Sequence, residues 1–147
     1  MSRNRRRVGR LFVDVVTFPE AVERIVALAK EPRASYVVTP NADHVVRAEK
    51  DESYVGICND ADLVCADGMP LVWTSRFGGG PRLPERVAGS DLLPALAAAA
   101  ANGFNNDGVT NTVTVNIPPT SGDHVGQAGF AEIVIVYYQT RSFSRIW

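Results

Sequence analysis

Short β-branched runs alternate with segments of helical period from Leu11 to about residue 101, and then the alternation stops. Leu11 to Val16 predicts a strand. Thr17 is a good N-cap, and Glu20 follows at capping-box spacing. Ala21, Val22, Ile25, Val26, Leu28 and Ala29 then recur at helical spacing up to Lys30, and Pro32 closes the helix. Ser35 to Val38 predicts a second strand, stopped by Thr39-Pro40-Asn41, because proline cannot continue a central ladder. Asn41 or Asp43 caps a helix running to about Asn59. Asp62 to Ala66 predicts a third short strand, ended by Asp67-Gly68. Met69 to Phe77 predicts a third helix, broken by Gly78-Gly79-Gly80-Pro81. Ser90 or Asp91 caps a last helix, Leu92 to Ala101.

Strands alternating with helices imply parallel strands joined by right-handed crossovers. The expected fold class is therefore α/β, a Rossmann-like parallel sheet with flanking helices. In such sheets ligands bind beyond the carboxyl ends of the strands, and helix N-termini there favour anions. Thr39-Pro40-Asn41 and Asp67-Gly68 both fall at such ends, so a phosphate-bearing ligand is the natural expectation.

Charge separates the first ten residues from the rest. The chain carries a net −1, yet residues 1–10 hold five Arg and no acid, leaving −6 on the remainder. The overall balance argues against a dedicated nucleic-acid binder. The basic arm, 1–10, reads as a solvated, disordered terminus or as a contact for an anionic lipid or nucleic acid. It has the charge of a signal-peptide n-region, but Asp14 interrupts the apolar stretch that follows and no cleavage site is present. No run reaches the length of a membrane span. The expected location is cytoplasmic. Cys58 and Cys65 have neither redox-pair nor zinc spacing, and two buried thiols in a reducing compartment is the plain reading.

Several residues carry chemistry. Asp67, a carboxylate at a strand end before Gly68, suits a general base for an acceptor hydroxyl; alternatively it caps the helix from Met69. Thr39 and Asn41 suit hydrogen bonds to a sugar or phosphate, or serve as turn and cap. His44 is a ligand, a proton carrier or an ordinary first-turn residue. Arg86, in Glu85-Arg86-Val87-Ala88-Gly89-Ser90-Asp91, suits a bidentate diphosphate clamp; its plain alternative is a surface pair with Glu85. Asp43, His44 and Asp67 match no metal-ligand spacing. The triple glycine is not a phosphate loop, and no G-x-G-x-x-G follows the first strand.

Three blocks, YVVTPNADHVVRAEKD, NDADLVCADGMPLVW and LPERVAGSDLLPAL, resemble the WecG/TagA/CpsF family of bacterial glycosyltransferases in both content and spacing. The resemblance implies transfer of an N-acetylmannosamine-type sugar from a UDP donor to a lipid-linked N-acetylglucosamine diphosphate, with inversion and without a metal or other cofactor. By the same resemblance Asp67 is the base. Thr39 and Asn41 belong to the family's T-x-N motif, and Glu85, Arg86, Gly89 and Asp91 to its E-R-x-x-G-x-D segment. Thr39, Asn41, Gly68, Arg86, Gly89 and Asp91 form the expected substrate-binding set. Partners implied are the UDP-sugar and the lipid-linked acceptor, with peripheral membrane contact and homo-oligomerisation as further expectations, at the inner face of the membrane.

The resemblance covers residues to about 101, where a family member would continue with further βα units. Residues 102–147 lose the alternation and nearly all charge. Thr110 to Ile117 and Ala131 to Tyr138 predict two antiparallel strands. The T-V-T-V-N-x-P-P-x-S-G block and the closing F-S-R-I resemble the carboxyl-terminal end of TadE/TadG-like pilus-assembly proteins. His124 lies in a loop of that tail and reads as a surface residue. The expected organisation is a basic arm at 1–10, a truncated glycosyltransferase domain at 11–101, and a β-rich tail of different origin at 102–147, joined near Ala97–Ala101. The rival expectations are a non-catalytic UDP- or sugar-binding module and an inactive hybrid fragment.

Overall fold

A computed structural model describes residues 3–31, 33–103, 109–116 and 134–141, with side chains described up to residue 99. The remaining tail segments, including the Pro118–Gly122 loop, His124 and the closing F-S-R-I, lie outside the described residues.

The fold is mixed α/β, with a small parallel strand pair flanked by helices. A hairpin of β1 (Arg5–Val8) and β2 (Leu11–Asp14) leads into α1 (Phe18–Ala29), then β3 (Ser35–Val38), α2 (Ala42–Ala48), α3 (Glu52–Asp60) and β4 (Leu63–Val64). After β4 come α4 (Met69–Thr74), α5 (Gly89–Gly103), β5 (Val109–Asn116) and β6 (Val134–Arg141). The main sheet has the order β4-β3-β6-β5, and β1-β2 is a separate two-stranded sheet.

Strand β3 pairs parallel with β4, Val37 beside Leu63 and Val38 beside Val64. Backbone bonds prolong this ladder at both ends, Asp62 N–H to Tyr36 O (3.0 Å), Cys65 N–H to Val38 O (2.9 Å) and Asp67 N–H to Pro40 O (3.0 Å). Side chains on successive strand residues point to opposite faces, and the core divides accordingly. Val37 and Leu63 join Ala21 and Ile25 of α1 and Leu92 and Leu96 of α5 on one face. Val38 and Val64 join Leu11, Val13, Tyr54, Cys58, Leu71 and Val72 on the other. Strands buried on both faces read as continuous apolar runs, as YVV and LVCA do.

Several boundaries fall where local chemistry dictates. Thr17 caps α1 in a full capping box with Glu20 and a proline in the first turn. The helix expected over 42–59 is two helices. Asp51 accepts from Tyr54 N–H (3.0 Å) and starts α3 afresh, three residues after α2 ends. Helix α4 stops at Thr74, short of Phe77, and α5 starts at Gly89 rather than Leu92.

Two expectations need correction. Residues 5–8 form a strand, not a disordered arm. And β2 pairs antiparallel with β1 instead of joining a three-stranded parallel sheet. One buried carboxylate accounts for both. Asp14 is 1% exposed and accepts from Arg3 (2.7 Å), Arg5 (3.3 Å) and Val64 N–H (2.9 Å), with Arg24 at 3.8 Å. Its side chain thus takes the Val64 N–H that a neighbouring strand's carbonyl would otherwise bind. Arg3 and Arg5 also donate to the carbonyls of Asn59, Ala61 and Asp62, which satisfies orphan acceptors at the negative end of α3. Arg6, 8% exposed, reaches the carbonyls of Phe77 and Gly79. The arginines fold because each finds oxygen acceptors.

In the tail, β5 and β6 pair antiparallel along their whole length, and β6 pairs antiparallel with β3. The expected two antiparallel strands are present, with residues 131–133 of the second outside the described residues, and they extend the sheet on the side of β3 away from β4.

Candidate functional site

The carboxyl ends of β3 and β4 bring the predicted residues together. Thr39 follows β3 and is buried at 3% exposure. Asn41 caps α2, its side-chain oxygen accepting from Asp43 N–H (3.0 Å) and His44 N–H (3.2 Å). His44 completes that cap, since its Nδ1 accepts from Asn41 N–H at 3.0 Å. A neutral His44 therefore carries its proton on Nε2. Its ring stacks on Tyr54, over which the Arg47 guanidinium also lies. Asn41 thus does serve as a cap, and its amide N–H2 is the part left to donate to a ligand.

Asp67 lies just past β4, half-buried. It does not cap α4. That helix has Gly68 at its N-cap and no side-chain cap bond. Gly68 adopts φ +119°, a conformation that side chains other than glycine's rarely take. This turn separates Asp67 from α4 and leaves its carboxylate beside the start of α5, where Gly89 N–H donates to it. Burial pushes the Asp67 pKa above the ordinary aspartate value. The Gly89 N–H and the Arg86 charge pull against burial, Asp91 adds to it, and His44 opposes it weakly. Burial wins, so this carboxylate holds its proton more tightly than an exposed one.

The segment before α5 is tethered to the same place. Val87 N–H donates to Ala66 O at 2.8 Å, directly beside Asp67. Ser75, 1% exposed, accepts from Leu83 N–H (3.0 Å) while donating to Val72 O (2.7 Å), and so fixes where that segment begins. Arg86 pairs with Asp91 at 2.7 Å, both about half exposed. Glu85 instead accepts from Phe18 N–H at 2.6 Å, at the start of α1. The alternative partner expected for Arg86 is therefore wrong: Glu85 belongs to α1, and Asp91 holds Arg86. One carboxylate oxygen uses one of the five guanidinium N–H groups, so donors remain for an anion.

Thr39, Asn41, Asp67, Gly68, Arg86, Gly89 and Asp91 thus converge around one sheet end and the positive end of a 15-residue helix. A half-buried carboxylate of raised pKa, an arginine and a helix N-terminus suit proton abstraction beside a bound anion. Among the described residues no group of three His, Cys, Asp or Glu is gathered as metal ligands. A cavity of about 230 Å³ lies elsewhere, lined by Arg3, Arg24, Leu28, Glu31 and Asp62 near the amino end of β4. It contains none of the predicted residues. Sequence reasoning missed the Val87–Ala66 tether, the role of Glu85 on α1 and the His44 cap. Only the last has a sequence signal, His at N3 of an Asn-capped helix.

A model of the glycosyl transferase WecG/TagA/CpsF family matches residues 6–106. The chain belongs to that family. The match reaches back into the β1-β2 hairpin and takes in β1 from Arg6 onward. An N-acetylglucosaminyldiphosphoundecaprenol N-acetyl-beta-D-mannosaminyltransferase of Bacillus spizizenii (strain ATCC 23059 / NRRL B-14472 / W23) is 31% identical over 64 residues. That stretch covers 44% of this chain and 24% of the Bacillus enzyme. The β5–β6 hairpin lies beyond the family match.

Proposed function

We propose that this α/β unit is the acceptor-activating part of a glycosyltransferase that moves an N-acetylmannosamine-type sugar from UDP to a lipid-linked N-acetylglucosamine diphosphate. Asp67 carries the reading. Its carboxylate sits at a strand end, half-buried, with one backbone donor and no direct ion pair among the described residues. In the proposed step Asp67 takes the proton of the acceptor hydroxyl. The hydroxyl oxygen forms a bond to the anomeric carbon from the face opposite UDP, and the bond from that carbon to the UDP oxygen breaks, inverting the centre. The electron pair leaves with UDP. Arg86 and the α5 N-terminus offset the charge that grows on the diphosphate. Thr39 and the Asn41 amide hydrogen-bond the sugar or phosphate. The step calls for no cofactor. The reading places the protein in the cytoplasm at the inner membrane face, with the tail beyond the family match as an addition of TadE/TadG-like origin.

A second reading, binding without transfer, is favoured by one observation. Strand β6 runs antiparallel to β3, so its carboxyl end points away from the site, unlike that of a parallel neighbour. Two measurements separate the readings. Thermal unfolding with and without millimolar UDP tests the anion site, because a ligand stabilises only a state that binds it. Transfer to a lipid-linked acceptor, compared with Asp67→Asn, tests the base. A UDP-dependent rise in Tm with transfer lost in Asp67→Asn supports the first reading. The same rise without transfer in the unmodified chain supports the second, and no rise overturns both.

A further inference from the structure

The arginine-rich start of the chain and the triple glycine meet at Arg6. This residue, on β1, is 8% exposed and donates from Nη1 to Gly79 O and from Nη2 to Phe77 O. Among the described residues no carboxylate pairs with it, and its buried Nε has no acceptor. Carbonyl dipoles offset only part of the cost of taking a guanidinium out of water. A well-packed apolar side chain would fill the same space without that cost, so stability does not explain an arginine here. What Arg6 does is hold the loop. Gly80 lies at φ +110°, and a Cβ there would stand 3.0 Å from Arg6 Nη1, whereas Gly79 has open space around it. The loop is shaped to close on the guanidinium.

From Gly80 the chain runs to Arg86 without another glycine, and Pro81 and Pro84 fix φ along it. Leu83 is buried with its N–H on Ser75, and Val87 N–H is bonded to Ala66 O beside Asp67. The three glycines are therefore the compliant part of this connection, and Arg6 removes their compliance. We propose that Arg6 is a positioning residue for the UDP site: its grip on the Phe77 and Gly79 carbonyls sets where the stiff 81–86 segment presents Arg86 to the diphosphate. The inference rests on the reading of Arg86 and the α5 N-terminus as the diphosphate site. It adds that the amino-terminal hairpin and that site are coupled through the glycine loop, and coupling of this kind is reciprocal.

The test compares the full chain with Arg6→Met, Gly80→Ala and Gly79→Ala, reading the unfolding midpoint without UDP and its rise across a UDP titration. Arg6→Met puts an apolar chain in the buried space and leaves the Phe77 and Gly79 carbonyls to water, both residues being exposed. Its midpoint should match or exceed that of the unmodified chain, while its UDP affinity falls about five-fold or more. Gly80→Ala should weaken UDP by a similar factor, and Gly79→Ala should bind as the unmodified chain does. By reciprocity UDP should slow tryptic cleavage after Arg76 and Arg82, the exposed arginines flanking the loop, and slow it less in Arg6→Met. Equal UDP affinity in Arg6→Met and the unmodified chain overturns the proposal and leaves the diphosphate site standing. So does an affinity loss in Arg6→Met that comes with a lower midpoint, which makes Arg6 a structural residue only, and so does Gly79→Ala losing as much as Gly80→Ala. No UDP-dependent rise in the unmodified chain overturns the diphosphate site and this inference together.

Discussion

Two aspartates flank β4 and are treated in opposite ways. Asp14 lies against the strand's edge, almost fully buried, with two arginines and a backbone N–H on its oxygens and a third arginine close by. Asp67 lies beyond the strand's carboxyl end, less buried, with a single backbone donor and the nearby Arg86 already engaged by Asp91. Deeper burial goes with fuller compensation. A buried charge is tolerated only when paired and hydrogen-bonded, and Asp14 meets that condition so completely that it organises the amino-terminal hairpin. Asp67 meets it only in part, and the shortfall is what raises its affinity for a proton. Partial compensation is what a general base needs.

The contrast breaks most sharply under substitution. Asp67→Asn keeps an oxygen for the Gly89 N–H and removes the proposed base. Transfer should fall by about 10²–10⁴-fold, with UDP-dependent stabilisation and the unfolding midpoint nearly unchanged. Asp14→Ala should do the reverse. It strands Arg5 and partly Arg3, and leaves the Val64 N–H without an acceptor. We expect a loss of about 3 kcal/mol in urea unfolding, the lower end for breaking a buried pair because Arg3 and Arg24 keep some solvation. If Asp14→Ala abolishes transfer without destabilising the fold, the division between the two carboxylates fails. Ser75→Ala should cost less, about 1–3 kcal/mol, because it leaves the buried Leu83 N–H unsatisfied. It loosens the segment carrying Arg86, so UDP affinity should fall along with the midpoint.

Much of this was legible in the sequence, and the exceptions share a cause. The α1 capping box, the ends of β3 and β4 and the convergence of Thr39, Asn41, Asp67, Arg86 and Asp91 all follow from local spacing and from the rule that strand ends carry sites. The fate of the arginine arm does not. A run of five arginines looks solvated until its acceptors are known. Those acceptors are Asp14, nine and eleven residues away, and carbonyls more than fifty residues away at the end of α3. Long-range oxygen acceptors leave no period in a sequence. The same holds for the Val87–Ala66 bond that sets Arg86 beside Asp67. The break between α2 and α3 was readable, since Asp51 stands three residues before Tyr54, but the apolar period on either side concealed it.

The finest test acts on the charges around Asp67 without touching it. Burial raises this pKa, Arg86 lowers it and Asp91 raises it. The ascending limb of kcat/KM against pH should therefore lie above the ordinary aspartate range, because the base works only when deprotonated. Stability should move the other way. The folded state holds this proton more tightly than the unfolded chain, so the contribution is full below the ordinary aspartate value. It is lost as pH rises through the raised folded value, and it disappears in Asp67→Asn. Arg86→Gln removes a lowering charge and also frees the Asp91 carboxylate, so both effects push the limb up. Asp91→Asn removes a raising charge and frees Arg86, so both push it down. Opposite shifts in the two variants would show that the Arg86–Asp91 pair sets the working pH of the base. Shifts of the same sign, or none, would mean that burial alone sets it and that the pair serves only to hold the start of α5.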